Sequence, residues 1–110
     1  MLDINNIIKE IIVRLQPINP FSLILFGSYA YGNPNNESDI DLYVVTRDNF
    51  IPSSFREKKE ITRKISRALM DIRLEVGIDL MVHTKPMNKK FYSINSLFAQ
   101  EIKEKGIPLI

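Results

Sequence analysis

Three aspartates have the residue type and spacing that could do chemistry. Asp39 and Asp41 are separated by one residue at the start of an apolar run, and Asp79 lies inside a later apolar run. Side chains two residues apart in a β-strand point to the same face of the sheet, so Asp39 and Asp41 would project together. If Asp79 lies on a neighbouring strand about 4.8 Å away, the three carboxylates converge.

A cluster of this kind needs positive charge near it. Carboxylates that lie close together repel one another, and burying them without compensation is costly. The strand positions that share their face contain no lysine or arginine, which favours a bound divalent cation. Carboxylate oxygens suit Mg²⁺, which completes its coordination shell with water and phosphate oxygens. The sequence therefore predicts a metal site at Asp39, Asp41 and Asp79 that is coupled to a nucleotide.

Gly27 and Ser28 close the apolar run before these acids, and ten residues separate Ser28 from Asp39. We predict a short helix over Ser28–Tyr31 whose first amides bind phosphate, with Ser28 adding a hydroxyl donor and Gly27 allowing close approach. Each feature alone has a simpler interpretation, because Gly-Ser is commonly a turn and Asp-x-Asp a solvated strand edge or helix cap. Their order along the chain favours a triphosphate site.

The elements that must position these residues follow from the hydrophobic pattern. Apolar residues at helical spacing predict three longer helices, and short apolar runs predict strands. The helices span Leu2–Leu15, Ser54 to near Met70, where Ser54 and Glu57 have capping-box spacing, and Phe91 to Gly106. The strands span Phe21–Phe26, Asp39–Val45 and Val76–Val82, with a short terminal strand at Leu109–Ile110. The expected fold is α/β (α+β): one domain over residues 1–110, a small mixed sheet with helices mainly on one face.

Composition excludes several classes of function. The 110 residues contain no cysteine, which excludes disulfide scaffolds, zinc ribbons and thiol catalysis. The one histidine, His83, is interpreted as a surface or capping residue, and the basic residues between 56 and 67 as a solvated helix face. A net charge of +2 gives no reason to expect direct nucleic-acid binding. No apolar run approaches the roughly 20 residues of a membrane span, and no secretory signal is visible, so we expect a cytoplasmic protein.

The segments Phe26–Gly32 and Glu37–Leu42 together resemble the Gly-Ser…Asp-x-Asp signature of the DNA polymerase β-type nucleotidyltransferase superfamily. The size and the ten-residue gap are similar to its minimal (MNT) branch, the MntA-like antitoxins of HEPN/MNT toxin–antitoxin systems. The resemblance implies a protein adenylyltransferase that transfers AMP from ATP to a tyrosine of a HEPN ribonuclease toxin. It also implies a hetero-oligomer with that toxin.

Position by position, the resemblance implies phosphate contacts for Gly27 and Ser28. It implies two Mg²⁺ ions, with metal binding and catalysis assigned to Asp39, Asp41 and Asp79. Tyr31 departs from the pattern, because many relatives have arginine at this position. Two other interpretations stay open: a non-catalytic antitoxin that only masks its partner, and an enzyme that modifies a small molecule such as an aminoglycoside.

Overall fold

The computed structural model describes residues 3–110, and in that range the chain forms six helices and four strands. The predicted start of the first helix at Leu2 lies outside the described residues. In chain order the elements are α1 (Ile4–Leu15), β1 (Ser22–Phe26), α2 (Ser28–Tyr31), β2 (Ile40–Val45), α3 (Phe55–Ala68), α4 (Met70–Arg73), β3 (Ile78–His83), α5 (Lys85–Ile94), α6 (Leu97–Lys105) and β4 (Ile107–Pro108). A 3₁₀ turn follows α1.

The four strands form one mixed sheet in the order β3-β2-β1-β4. β1 runs antiparallel to both of its neighbours, whereas β2 and β3 are parallel. Parallel neighbours need a crossover connection, and α3 with α4 supplies it. The strand register places Asp41 beside Asp79 on one side and beside Phe26 on the other. The start of β2, the start of β3 and the end of β1 therefore meet at one end of the sheet.

The larger hydrophobic cluster lies on one face of the sheet, as the strand alternation predicts. Ile40, Leu42 and Val44 of β2 are fully buried there, and α1 and α3 cover them with Ile11, Leu15 and Ile65, among others. The two helices begin at side-chain caps: Asp3 accepts from the Asn6 amide, and Ser54 accepts from the Glu57 amide.

A second, smaller cluster covers the opposite face beneath α5 and α6, and the sequence analysis did not predict it. Tyr43 and Val45 are 0% and 1% exposed on this face, and they pack with Ile102. The unbroken apolar run from Leu42 to Val45 is the pattern typical of a strand that is buried on both faces.

The C-terminal helix prediction was wrong, because two helices replace the single helix expected from Phe91. Asn95 adopts a left-handed conformation with φ 56° and ends α5. Ser96 then begins α6 by accepting a hydrogen bond from the Ala99 amide. The apolar spacing runs across this break, so periodicity alone did not reveal it. The last strand also forms two residues earlier than predicted, at Ile107–Pro108. None of the helices in residues 3–110 has the length and apolarity that crossing a membrane requires.

Candidate active site

The predicted acids gather at the end of the sheet where β2 and β3 begin. Asp41 and Asp79 are register partners in the parallel pair, and Asp39 immediately precedes β2. The Ile40 amide donates to the Gly77 carbonyl at 2.9 Å, which ties the two strand starts together. Asp39 and Asp79 are exposed, whereas Asp41 between them is half-buried. The fold therefore places all three carboxyl groups around one exposed end of the sheet.

Asp41 is the member of this group whose pKa is shifted. Burial, then the charge of Asp79 and its carboxyl within hydrogen-bonding reach, and lastly the charge of Asp39, raise the pKa of Asp41 to about 6. In the part of the chain that the structure describes, no three His, Cys, Asp or Glu side chains already form a metal-binding group. Asp41 and Asp79 are the close pair, and Asp39 acts on Asp41 as a neighbouring charge.

Two glycines make room for these carboxyl groups. A Cβ at Gly27 would overlap Asp41 Oδ2 and lie 2.9 Å from Asp41 Cγ. A Cβ at Gly77 would overlap Asp39 Oδ1 and lie 2.9 Å from Asp39 Cγ. Gly27 was predicted as a phosphate-turn residue, but Gly77 was missed. Its position directly before the strand that carries Asp79 was the available signal.

The turn after β1 brings backbone amides to the same end of the sheet. Gly27 has φ 77° and ψ −162°, a conformation that a residue with a side chain rarely adopts. Its carbonyl accepts from the Ala30 and Tyr31 amides at 3.0 Å, which starts the predicted short helix α2. The first amides of a helix have no acceptor within the helix, and here they follow the residue that pairs with Asp41.

This arrangement fits a hard divalent cation. All the charged donors are carboxylate oxygens, which Mg²⁺ prefers over nitrogen or sulfur. Burial, and after it the charges of Asp79 and Asp39, raise the pKa of Asp41, and a bound cation would favour its ionised form. If an ion binds here, the neighbouring Asp41 and Asp79 would hold it, and Asp39 is the third candidate ligand. Gly27 and Gly77 keep side chains out of the space beside these acids.

His83 lies at the far end of β3 from Asp79, and its ring packs edge-on against Tyr43 and Phe91 of the smaller cluster. It is half-buried rather than a surface or capping residue, and burial and the nearby Lys58 charge lower its pKa. The buried Tyr43 hydroxyl donates to Asn88 Oδ1 at 3.0 Å and lies 2.7 Å from His83 Nδ1. Because the Tyr43 hydroxyl gives its proton to Asn88, it accepts its hydrogen bond from the His83 ring N–H. These contacts connect side chains within the smaller cluster, away from the acids. The predicted solvated face of α3 is confirmed by its exposed basic residues Arg56, Lys58, Lys59, Arg63, Lys64 and Arg67.

Comparison with known families identifies the class of protein. Residues 6–110 match the family described as Polymerase beta, Nucleotidyltransferase. The chain belongs to this nucleotidyltransferase family, as the Gly-Ser and Asp-x-Asp segments predicted. Protein adenylyltransferase MJ0141 of Methanocaldococcus jannaschii is 28% identical over 105 residues, which cover 96% of this chain and 86% of that protein.

Solved structures of toxin–antitoxin proteins share the fold. One, a toxin–antitoxin crystallised with AMP-PNP, is 25% identical with a TM-score of 0.56, over 94% of this chain and 72% of that one. A mutant of the toxin–antitoxin MntA-HpeT is 26% identical with a TM-score of 0.51, over 100% of this chain and 73% of that one. The expected fold class is confirmed.

Proposed function

We propose that this chain transfers AMP from ATP to a tyrosine hydroxyl of a HEPN ribonuclease toxin and thereby acts as its antitoxin. The observation that carries the proposal is the in-register pair of Asp41 and Asp79, with Asp39 beside it and the Gly27 turn facing it. The named adenylyltransferase relative and the AMP-PNP-containing neighbour support the reaction class. The toxin–antitoxin neighbours support the choice of partner.

In the proposed reaction the acceptor oxygen bonds to the α-phosphorus of ATP, and the bond from that phosphorus to the bridging oxygen breaks. Pyrophosphate leaves with the bond's electrons, and the hydroxyl proton passes to a carboxylate. Asp79 is the better placed base, because it is exposed on the outer strand of the sheet, where an acceptor can approach. When bound at Asp39, Asp41 and Asp79, Mg²⁺ would supply charge neutralisation at the phosphates.

Gly27 and Ser28 are assigned to the leaving pyrophosphate. The positive φ of Gly27 directs the chain from β1 straight into α2, so the first amides of α2 follow a residue that lies against the Asp41 carboxyl. Amides held in this way can bind phosphate oxygens without further rearrangement. Positioning and charge compensation would then account for most of the rate.

A protein acceptor fits the open geometry of the site. The acids lie at an exposed end of a small sheet, and two of the three are exposed. A small acceptor would need further walls to hold it, whereas a partner protein brings its own surface and presents its own tyrosine.

The test is to incubate the chain and a co-expressed HEPN toxin with Mg²⁺ and ATP labelled at the α- or the γ-phosphate. We expect label on the toxin from the α position only, and none with the double variant Asp39→Asn, Asp41→Asn. Asp48→Asn, at the opposite end of β2, is the matched control and should transfer like the wild type. Label from the γ position, or undiminished transfer by the double variant, would contradict the proposal.

A further inference from the structure

We propose that Lys105, the last residue of α6, binds the β- and γ-phosphates of the nucleotide. This inference rests on the proposed function, because it takes the Gly27–Ser28 turn as the triphosphate site. It adds a residue from the other end of the chain that the sequence motifs do not include.

The pairing of β4 with β1 brings Lys105 to this turn. Ile107 pairs with Leu25, and Pro108 pairs with Ile24, in antiparallel register. Because these strands are antiparallel, β4 begins at the end of the sheet where β1 ends, and Lys105 lies just before β4 at the end of α6. Gly106 fixes the approach, because a Cβ there would lie 2.7 Å from Ile24 Cγ2 and would also overlap the helix carbonyl of Ile102.

The Lys105 side chain is directed onto α2. Its ammonium nitrogen lies 5.8 Å from the centre of the Tyr31 ring, and Tyr31 is one turn after Ser28. In residues 3–110 the salt bridges involve other residues, so Lys105 meets an aromatic face and not a carboxylate. A cation–π contact at an exposed position is weaker than a charge-assisted hydrogen bond to phosphate, so an arriving phosphate oxygen can take the ammonium as a partner.

A bound triphosphate needs positive charge close to it, which Lys105 can provide and the acids cannot. The site is acidic through Asp39, Asp41 and Asp79, and a triphosphate adds further negative charge. A metal ion held by the acids compensates charge on their side of the nucleotide. Lys105 would compensate it on the side of α2, where the phosphates of the leaving group are assigned.

Lys103 provides the control for the charge at the end of the helix, because both lysines share that position. Both are exposed in the last turn of α6, where positive charge interacts favourably with the helix dipole. Lys105 differs from Lys103 because it contacts Tyr31, on the same helix as Ser28. A loss of ATP affinity on changing Lys105 but not Lys103 would therefore indicate phosphate binding.

The experiment measures binding of ATP, tripolyphosphate and AMP to the full chain in Mg²⁺ buffer by calorimetry. Lys105→Ala should weaken ATP and tripolyphosphate binding about tenfold, as expected for loss of one charge-assisted contact. AMP binding and the thermal midpoint should not change, because AMP lacks the two outer phosphates. Lys105→Arg should retain most of the affinity, and Lys103→Ala should bind all three ligands like the wild type.

Two results would overturn the assignment of Lys105 alone: equal ATP affinity in wild type and Lys105→Ala, or an equal loss for ATP and AMP. If the wild-type chain bound neither ATP nor tripolyphosphate, the proposed function itself would fail, and Lys105 would fail with it.

Discussion

Asp41 and Asp79 are direct neighbours across the parallel strands β2 and β3, and the charge of Asp79 acts on the Asp41 carboxyl. The fold holds these like charges together on the same face of the sheet. Burial of Asp41, together with the charge of Asp79, raises the pKa of Asp41 to about 6. Removing the charge of Asp41 should therefore make the folded protein more stable.

We therefore expect Asp41→Asn to stabilise the metal-free protein at neutral pH. The pKa of Asp41 is about 6 in the fold and 3.8 as the ordinary reference. As pH rises between these values, the unfolded chain loses its proton first, so the wild type loses stability relative to the variant. The difference should be on the order of 1 kcal/mol at pH 7, after allowance for solvent screening of a partly exposed group. It should vanish well below pH 3.8, where both states are protonated.

Urea unfolding of both proteins in EDTA across this pH range measures the effect. The lowered pKa of His83 makes the free energy of unfolding rise with pH, which is the opposite of the Asp41 effect. Because His83 is present in both proteins, the difference between them reports Asp41. Glu101→Gln, an exposed change on α6, should leave the wild-type pH trend unaltered. A variant less stable than wild type at pH 7 would contradict the raised pKa of Asp41.

The second prediction uses two glycines to distinguish the effect of crowding by a new Cβ from the effect of backbone strain. Gly77→Ala should lower transfer strongly while the chain stays folded, because the new Cβ displaces Asp39. Gly32 has φ 87° and open space around it, so Gly32→Ala should cost about 1–2 kcal/mol of backbone strain and spare activity. Thermal unfolding and label transfer, measured on both variants, give the two effects. Full activity in Gly77→Ala would refute the crowding of Asp39.

Tyr43 makes a third prediction, which concerns stability. Burial raises the pKa of Tyr43 well above its ordinary value, so the hydroxyl remains protonated and can donate to Asn88. Tyr43→Phe should cost about 1–3 kcal/mol, because His83 and Asn88 lose a buried partner. Nucleotide binding should not change. Tyr92→Phe, in the same aromatic cluster, is the control and should cost less in urea unfolding.

Local sequence patterns were sufficient to predict most of the secondary structure. The positions of β1, α2 and β2 follow from the apolar run, the Gly27–Ser28 turn and the Asp39–Asp41 spacing, each of which is encoded within a few residues. The prediction failed at Asn95, where a left-handed residue breaks a helix that the apolar spacing continues. The break depends on the backbone conformation of Asn95, which the apolar periodicity does not encode.

For the site, the sequence located the acids but not their surroundings. That Asp79 would share a sheet end with Asp41 could be predicted from strand alternation. The closeness of Gly77 to Asp39, and of Lys105 to Tyr31, depends on strand register and on the return of the chain through β4. These are long-range relationships, so they required the folded structure.

The last prediction separates catalysis from simple masking of the toxin. Asp39→Asn with Asp41→Asn keeps side-chain size and removes charge from an exposed site, so a complex with the toxin should still form. If AMP transfer neutralises the toxin, cells that express the toxin with this variant should stop growing, whereas cells with Asp48→Asn should grow. Co-purification of toxin and variant verifies that the complex is intact. Growth rescued by the double variant would instead assign neutralisation to binding alone.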